Sequence, residues 1–363
     1  MSDGTALRRT ASLLSVRRIS VIYLLGVIVL IFGITIPDLF LSSVTAQVVA
    51  SSQAVVILIA LAAMLPLIAG EFDITVGTNM ALSLAIVCQQ SQAHPERSLF
   101  AVCVVAVLVS GLVGLVNGFL VVKLRLNSFI ATLAMSQVLA AIALKISDNE
   151  QIRGTFPPGF SDFGQAKLAG IPVPLLCSVV VGLVLWYVLD WTKLGRQLFA
   201  TGMNREAARL SGVRTDGLII SSFVTSGLIS GAAGIVYATQ VGTFSNSVGA
   251  PLLFPAFAAV FLGATQFNHR PNVWGTFLAI ITLALGVQGL QLSLTSGGFW
   301  ITPLFNGLAL IFAVIFSARQ ASQSEKASSD GKASIDEPPA VAPPDGALLS
   351  ETAASRRATT GTS

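Results

Sequence analysis

The chain has 363 residues, of which 53% are hydrophobic and only 10% charged, with a formal net charge of +4. A water-soluble domain carries about 25% charged residues to cover its surface, so a single large soluble fold is excluded. The basic residues sit in short stretches between apolar runs and form no clustered face, which argues against a nucleic-acid partner.

In chain order, Arg8, Arg9, Arg17 and Arg18 precede the apolar run 19–37. This run is longer than a signal-peptide core and lacks a small-residue cleavage site, so it reads as a first transmembrane helix. Nine further apolar segments follow at about 52–70, 74–89, 99–122, 128–146, 171–190, 217–241, 250–265, 273–292 and 298–317. A helix needs about 20 residues to cross a bilayer. The expected fold is therefore all-α, a polytopic transmembrane bundle of about ten spans, with domains 1–18 (cytoplasmic N-terminal segment), 19–317 (transmembrane domain) and 318–363 (disordered cytoplasmic tail). With the N-terminus in the cytoplasm, all but four of the 21 Lys and Arg fall on the cytoplasmic side, the exceptions being Arg97, Lys145, Arg153 and Lys167. That asymmetry orients the chain with both termini inside.

Ten spans divide into two five-helix halves of opposite orientation. The short third and eighth segments then correspond, and paired short or Gly/Pro-interrupted segments mark transport sites built from broken helices. They can equally be tilted helices with no ligand.

The spans as drawn hold neutral polar residues in place of charges: Asn117, Gln137, Gln240, Gln288, Gln291 and Asn306, joined by Phe244 and Trp300. Amides donate and accept, so they suit a pathway for a hydroxyl-rich solute. The alternative role is bonding between helices. Gly111, Gly114 and Gly118 share one span, and Gly227 and Gly231 another, as in close helix packing. Cys88, Cys103 and Cys177 have no metal or redox spacing, and His94 and His269 lie in separate loops, so no metal site is expected. The tail beyond Arg319 is Ser-, Ala- and Pro-rich and expected to be disordered.

The longest internal cytoplasmic loop, 191–216, contains a helix signature. Asn204 is an N-cap, Arg205, Glu206, Ala207, Ala208 and Arg209 form two turns, and Gly212 is the stop. Either this helix rests on lipid headgroups or it contacts a partner.

The run Asn204-Arg-Glu-Ala-Ala-Arg-Leu-Ser-Gly-Val213 resembles the cytoplasmic coupling loop of ribose-type sugar ABC transporter permeases. Gly70-Glu-Phe-Asp-Ile-Thr-Val-Gly77 resembles that family's Gly-Gly-Ile-Asp-Leu-Ser-Val-Gly segment. Val116-Asn-Gly-Phe-Leu-Val-Val-Lys-Leu-Arg-Leu-Asn-Ser-Phe-Ile-Ala-Thr-Leu133, Ala258-Ala-Val-Phe-Leu-Gly-Ala264 and Val273-Trp-Gly-Thr276 are similar to further stretches. The resemblance spans about 19–317. Glu71 stands where the family usually has glycine, Asn127 where it often has proline, and Gln266-Phe-Asn-His-Arg-Pro271 replaces a Gly-rich turn.

The resemblance implies the permease subunit of an importer in a bacterial inner membrane. Its partners would be a second permease copy or close relative, cytoplasmic ATP-binding subunits and an external substrate-binding protein. Arg205, Glu206 and Arg209 would meet the ATPase groove, and Asp73 would cap the third helix or contact a moving loop. No cofactor is expected on this chain, because the only Gly-Lys pair, Gly331-Lys332, is followed by Ala333 and makes no phosphate loop. A self-contained secondary carrier would need a coupling ion and acids within the spans. A membrane enzyme would need a nucleophile, base or metal cluster.

Overall fold

The computed structural model describes residues 20–266, 270–294, 298–312 and 314–315. The N-terminal segment 1–18, His269 and the tail 318–363 with Gly331-Lys332 lie outside the described residues. Each of the ten apolar segments carries one helix: α1 (Ser20–Thr35), α3 (Ser43–Ile68), α4 (Val76–Ala93), α5 (Leu99–Val122), α6 (Ser128–Ser147), α8 (Val173–Trp191), α11 (Thr215–Val241), α12 (Ala250–Ala264), α13 (Val273–Ser293) and α14 (Ile301–Phe312). Between them lie the short helices α2 (Pro37–Phe40), α7 (Pro158–Gln165), α9 (Lys193–Met203) and α10 (Arg205–Leu210). Among the described residues, six helices, α3, α5, α6, α8, α11 and α13, are long and apolar enough to cross a membrane. The fold is a polytopic helical bundle, as its sequence leads one to expect.

Side-chain caps fix the starts of two helices, one of them earlier than the drawn segment. Helix α3 starts nine residues before the expected 52, because the Ser42 side chain accepts a hydrogen bond from the Thr45 amide and caps it. Helix α6 starts at Ser128 because Asn127 accepts from the Ile130 amide, so the residue replacing proline serves as a cap. Four two-residue strands also appear: β1 (Ile152–Arg153) pairs antiparallel with β4 (Thr243–Phe244), and β2 (Lys167–Leu168) with β3 (Ile171–Pro172).

Helices α3 and α11 form the interior. The stretch Ala54–Leu65 of α3 is buried on every side, as expected of a helix that is apolar all round. The outer helices instead turn large apolar residues outward, among them Leu108 and Leu112 of α5, Ile130 of α6 and Val184 of α8. An exposed apolar surface of that extent fits lipid and not water. The two glycine faces meet: the Gly111–Gly118 face of α5 packs on Gly227 and Gly231 of α11, where added methyl groups would strike opposing backbone or side chain. The starts of the two short elements, α4 and α12, also touch. A Cβ on Gly77 would lie 2.5 Å from the Gly249 carbonyl oxygen, and one on Gly249 would lie 2.6 Å from that of Gly77.

Candidate functional site

Three groups of residues are the candidates for a functional site. The first is the surface loop between α8 and α11. Asn204 leaves α9 in extended conformation, and its Oδ1 accepts from the Ala207 amide at 2.9 Å, which starts α10. Gly212, with φ +82°, ends the helix by donating to the Arg209 carbonyl, while the Val213 amide reaches the Ala208 carbonyl. Glu206 lies in the first turn and Arg209 in the last, each favourable to the helix dipole, and they pair with each other at 2.9 Å. Ala208 is buried and seats the helix. Around it Met203 and Leu210 are 71% and 81% exposed. Two large apolar side chains held outward on a polar loop are the part of this surface that motif reading missed; the signal was a Met just before a capped hexapeptide and the Leu that ends it.

Arg205 does not share the outward face with Arg209. Its guanidinium turns inward, to Asp216 at the start of α11 at 2.9 Å and to Glu71 at 3.8 Å. Arg205 and Arg209, four residues apart on α10, thus take different partners: Asp216 and Glu71 for the first, Glu206 for the second.

The second group is the connection 69–75 between α3 and α4. Gly70 has φ +86° and packs against the Gly202 backbone; a Cβ on Gly202 would fall 1.9 Å from the Ile68 carbonyl oxygen. The connection is held on three sides. The Phe72 amide donates to Ser128 Oγ at 3.0 Å and the Ile74 amide to Thr132 Oγ1 at 3.1 Å, both on α6. Asn117 of α5 donates to Thr75 Oγ1 at 3.0 Å. Asp73, only 1% exposed, is the single buried charged side chain among the described residues. Its Oδ1 accepts from the Thr75 amide and hydroxyl, and its Oδ2 from Ser226 of α11 at 2.8 Å. A buried carboxylate is tolerated only with such donors around it. Asp73 therefore ties the entry of α4 to α11, combining a local turn cap with a contact between helices.

The third group is a cavity of about 390 Å³ between α3, α12, α13 and α14. Ser52, Gln53, Gln288, Gln291, Thr302 and Asn306 supply its polar lining, with Val56, Leu252, Pro255 and Ile280 beside them. Gln288 and Asn306 are thus brought together. The other expected lining residues lie elsewhere. Gln240 donates to the Ser51 carbonyl at 2.8 Å and joins α11 to α3. Asn117 is buried in the Asp73 network, Phe244 is core against Ile152, and Gln137 and Trp300 are exposed. Ser52, Gln53 and Thr302 were not anticipated, although Ser52 and Gln53 open the second apolar segment and Thr302 lies in the tenth.

A polytopic bundle with a cleft between helices that carries amide and hydroxyl groups, and a capped helix on a surface loop, fits a membrane permease. The chain belongs to the family described as "Branched-chain amino acid transport system / permease component", which matches residues 46–318. It is 30% identical over 289 residues to the D-allose transport system permease protein AlsC of Escherichia coli K12, covering 80% of this chain and 83% of that one. It is 30% identical to the fructose import permease protein FrcC of Rhizobium meliloti (78% and 80% covered) and to the ribose import permease protein RbsC of Haemophilus influenzae (69% and 77%). No solved structure matches the chain.

Proposed function

We propose that this chain is the membrane-spanning permease subunit of an ATP-driven importer for a sugar or comparable small neutral polar solute. It lies in a bacterial inner membrane with both termini cytoplasmic, beside a second permease copy or close relative. Separate cytoplasmic ATP-binding subunits drive it, and an external substrate-binding protein delivers the solute. The observation that carries the reading is α10, a capped helix that projects Leu210 and the Glu206–Arg209 pair, with Met203 exposed beside it at the end of α9, from a loop whose other side is anchored to the bundle. Closure of the ATPase pair moves α10, and the helices change between outward- and inward-facing states, each favoured by a different ligand.

The solute class rests on the amide- and hydroxyl-lined cavity at Gln53, Gln288, Gln291, Thr302 and Asn306, which offers donors and acceptors without charge. The relatives named for allose, fructose and ribose support it. Asp73 gives no support to an ion-coupled carrier, because both of its oxygens are occupied by donors from Thr75 and Ser226.

The reading is tested by expressing the chain with the ATPase and binding-protein genes encoded beside it. Co-purification of the ATPase on the tagged chain, and sugar or polyol binding by the external protein, are the expected results. An external partner that binds only charged amino acids would refute the solute class, and a chain that purifies without any ATPase would refute the coupling.

A further inference from the structure

Arg205 is the first residue of α10, yet it faces two carboxylates of the permease itself. Glu71 belongs to the connection 69–75 and is 18% exposed; Asp216 opens α11 and is 55% exposed. A half-buried carboxylate needs a cation close by, and Arg205 is the one the structure supplies. Glu71 sits one residue from Gly70, which packs on Gly202 immediately before α10. It sits two residues from Asp73, whose second oxygen holds Ser226 in the middle of α11. The same connection leads to Gly77, where α4 meets the start of α12. The Arg205–Glu71 ion pair thus joins α10 to a short stretch of backbone that passes through Asp73 and ends at Gly77, where the two short helices touch.

We propose that Glu71 is a positioning residue for energy coupling: through Arg205 it makes the connection 69–75 follow the movement of α10, so that α4 shifts at its junction with α12. This rests on the reading of α10 as the ATPase contact, and adds a permease-internal partner that relays its movement. The Glu206–Arg209 pair meets the ATPase, whereas the Glu71–Arg205–Asp216 group hands the motion inward. Arg suits this place because its planar fork reaches two carboxylates at once, which a lysine ammonium does with less geometric control.

The test uses the whole complex, with ATPase subunits, in proteoliposomes loaded with ATP, with the binding protein and the sugar it takes supplied outside. Glu71→Gln, Arg205→Gln and the double variant are compared with the parent for ATPase co-purification, ATP hydrolysis and solute taken up per ATP. Glu71→Gln keeps the side-chain shape and is expected to leave co-purification and hydrolysis unchanged while uptake per ATP falls roughly fivefold or more, the scale of a coupling between sites. If the two residues act through each other, the double variant loses no more than Arg205→Gln alone. Loss of assembly and uptake together in Glu71→Gln would make its role structural and overturn the proposal. So would uptake per ATP within twofold of the parent, or losses that multiply in the double variant. A parent complex that hydrolyses ATP but takes up no solute would refute the functional reading, a result distinct from any of these.

Discussion

Gly114 lies where α5 and α11 come closest, and replacing it by alanine gives a defined clash. The new Cβ would stand 2.1 Å from the Phe223 carbonyl oxygen, 2.8 Å from its carbon and 3.0 Å from the Val224 Cα. A carbon meets a carbonyl oxygen without repulsion at about 3.3 Å, so the helices must part by about 1 Å. All three opposing atoms are backbone, and no rotamer change relieves the contact. A gap of that size forfeits a quarter to a half of the dispersion contacts along the seam. The seam continues through Gly118, Gly227 and Gly231, so the loss extends beyond one residue. The expected cost is about 1–3 kcal/mol, the usual range for overpacking. Gly217, in the first turn of the same α11, has nothing within 4 Å of an added Cβ. Gly217→Ala is expected to be neutral or to stabilise by up to about 1 kcal/mol through helix propensity. Thermal unfolding in detergent, followed by size-exclusion chromatography of the heated protein, reads both. Opposite signs are expected. Gly114→Ala at or above the parent's stability would refute the close α5–α11 packing on which the placement of Asp73 depends.

Asp73→Ala should lower stability more than Asp73→Asn. Alanine leaves the Thr75 amide buried without an acceptor, at about 1–3 kcal/mol, whereas asparagine keeps one acceptor; unfolding temperatures in the order parent, Asn, Ala would show it, and equal values would contradict it. Glu206→Lys and Arg209→Glu should each abolish ATPase co-purification and uptake at equal membrane abundance, because the pair is exposed and contributes little to folding. Normal assembly in Glu206→Lys would remove the case for α10 as the contact. Gln288→Leu and Asn306→Leu should reduce uptake at least tenfold with ATPase assembly intact, since a buried solute hydroxyl then loses its partner; unchanged uptake would place the pathway elsewhere.

The helices were legible because the physics that makes them is local. Runs of apolar residues, the glycine faces of α5 and α11, the Asn204 cap and the Gly212 stop each act within a few residues of sequence, and each has its counterpart in the fold. Partner choice was not legible. Arg205 and Arg209 are four apart and look alike in sequence, but Asp216 and Glu71 claim one of them, and Glu71 is more than a hundred residues away. The same holds for the amides. Gln288 and Asn306 reach a cavity while Asn117 is absorbed by Thr75, a distinction set by which helix packs where and by nothing in the spacing. The start of α3 was lost because polar Ser43, Thr45, Gln47 and Ser51 interrupt the apolar residues before 52, although a packed helix carries them.

The central claim is that a separate ATPase drives transport through this chain. The most direct measurement is uptake of the sugar bound by the external protein into proteoliposomes, with the chain alone and with its ATPase and binding protein. Accumulation only in the complete system, dependent on ATP and indifferent to sodium and proton gradients, is the predicted result. Accumulation by the chain alone against a concentration gradient, driven by an imposed ion gradient, would contradict it.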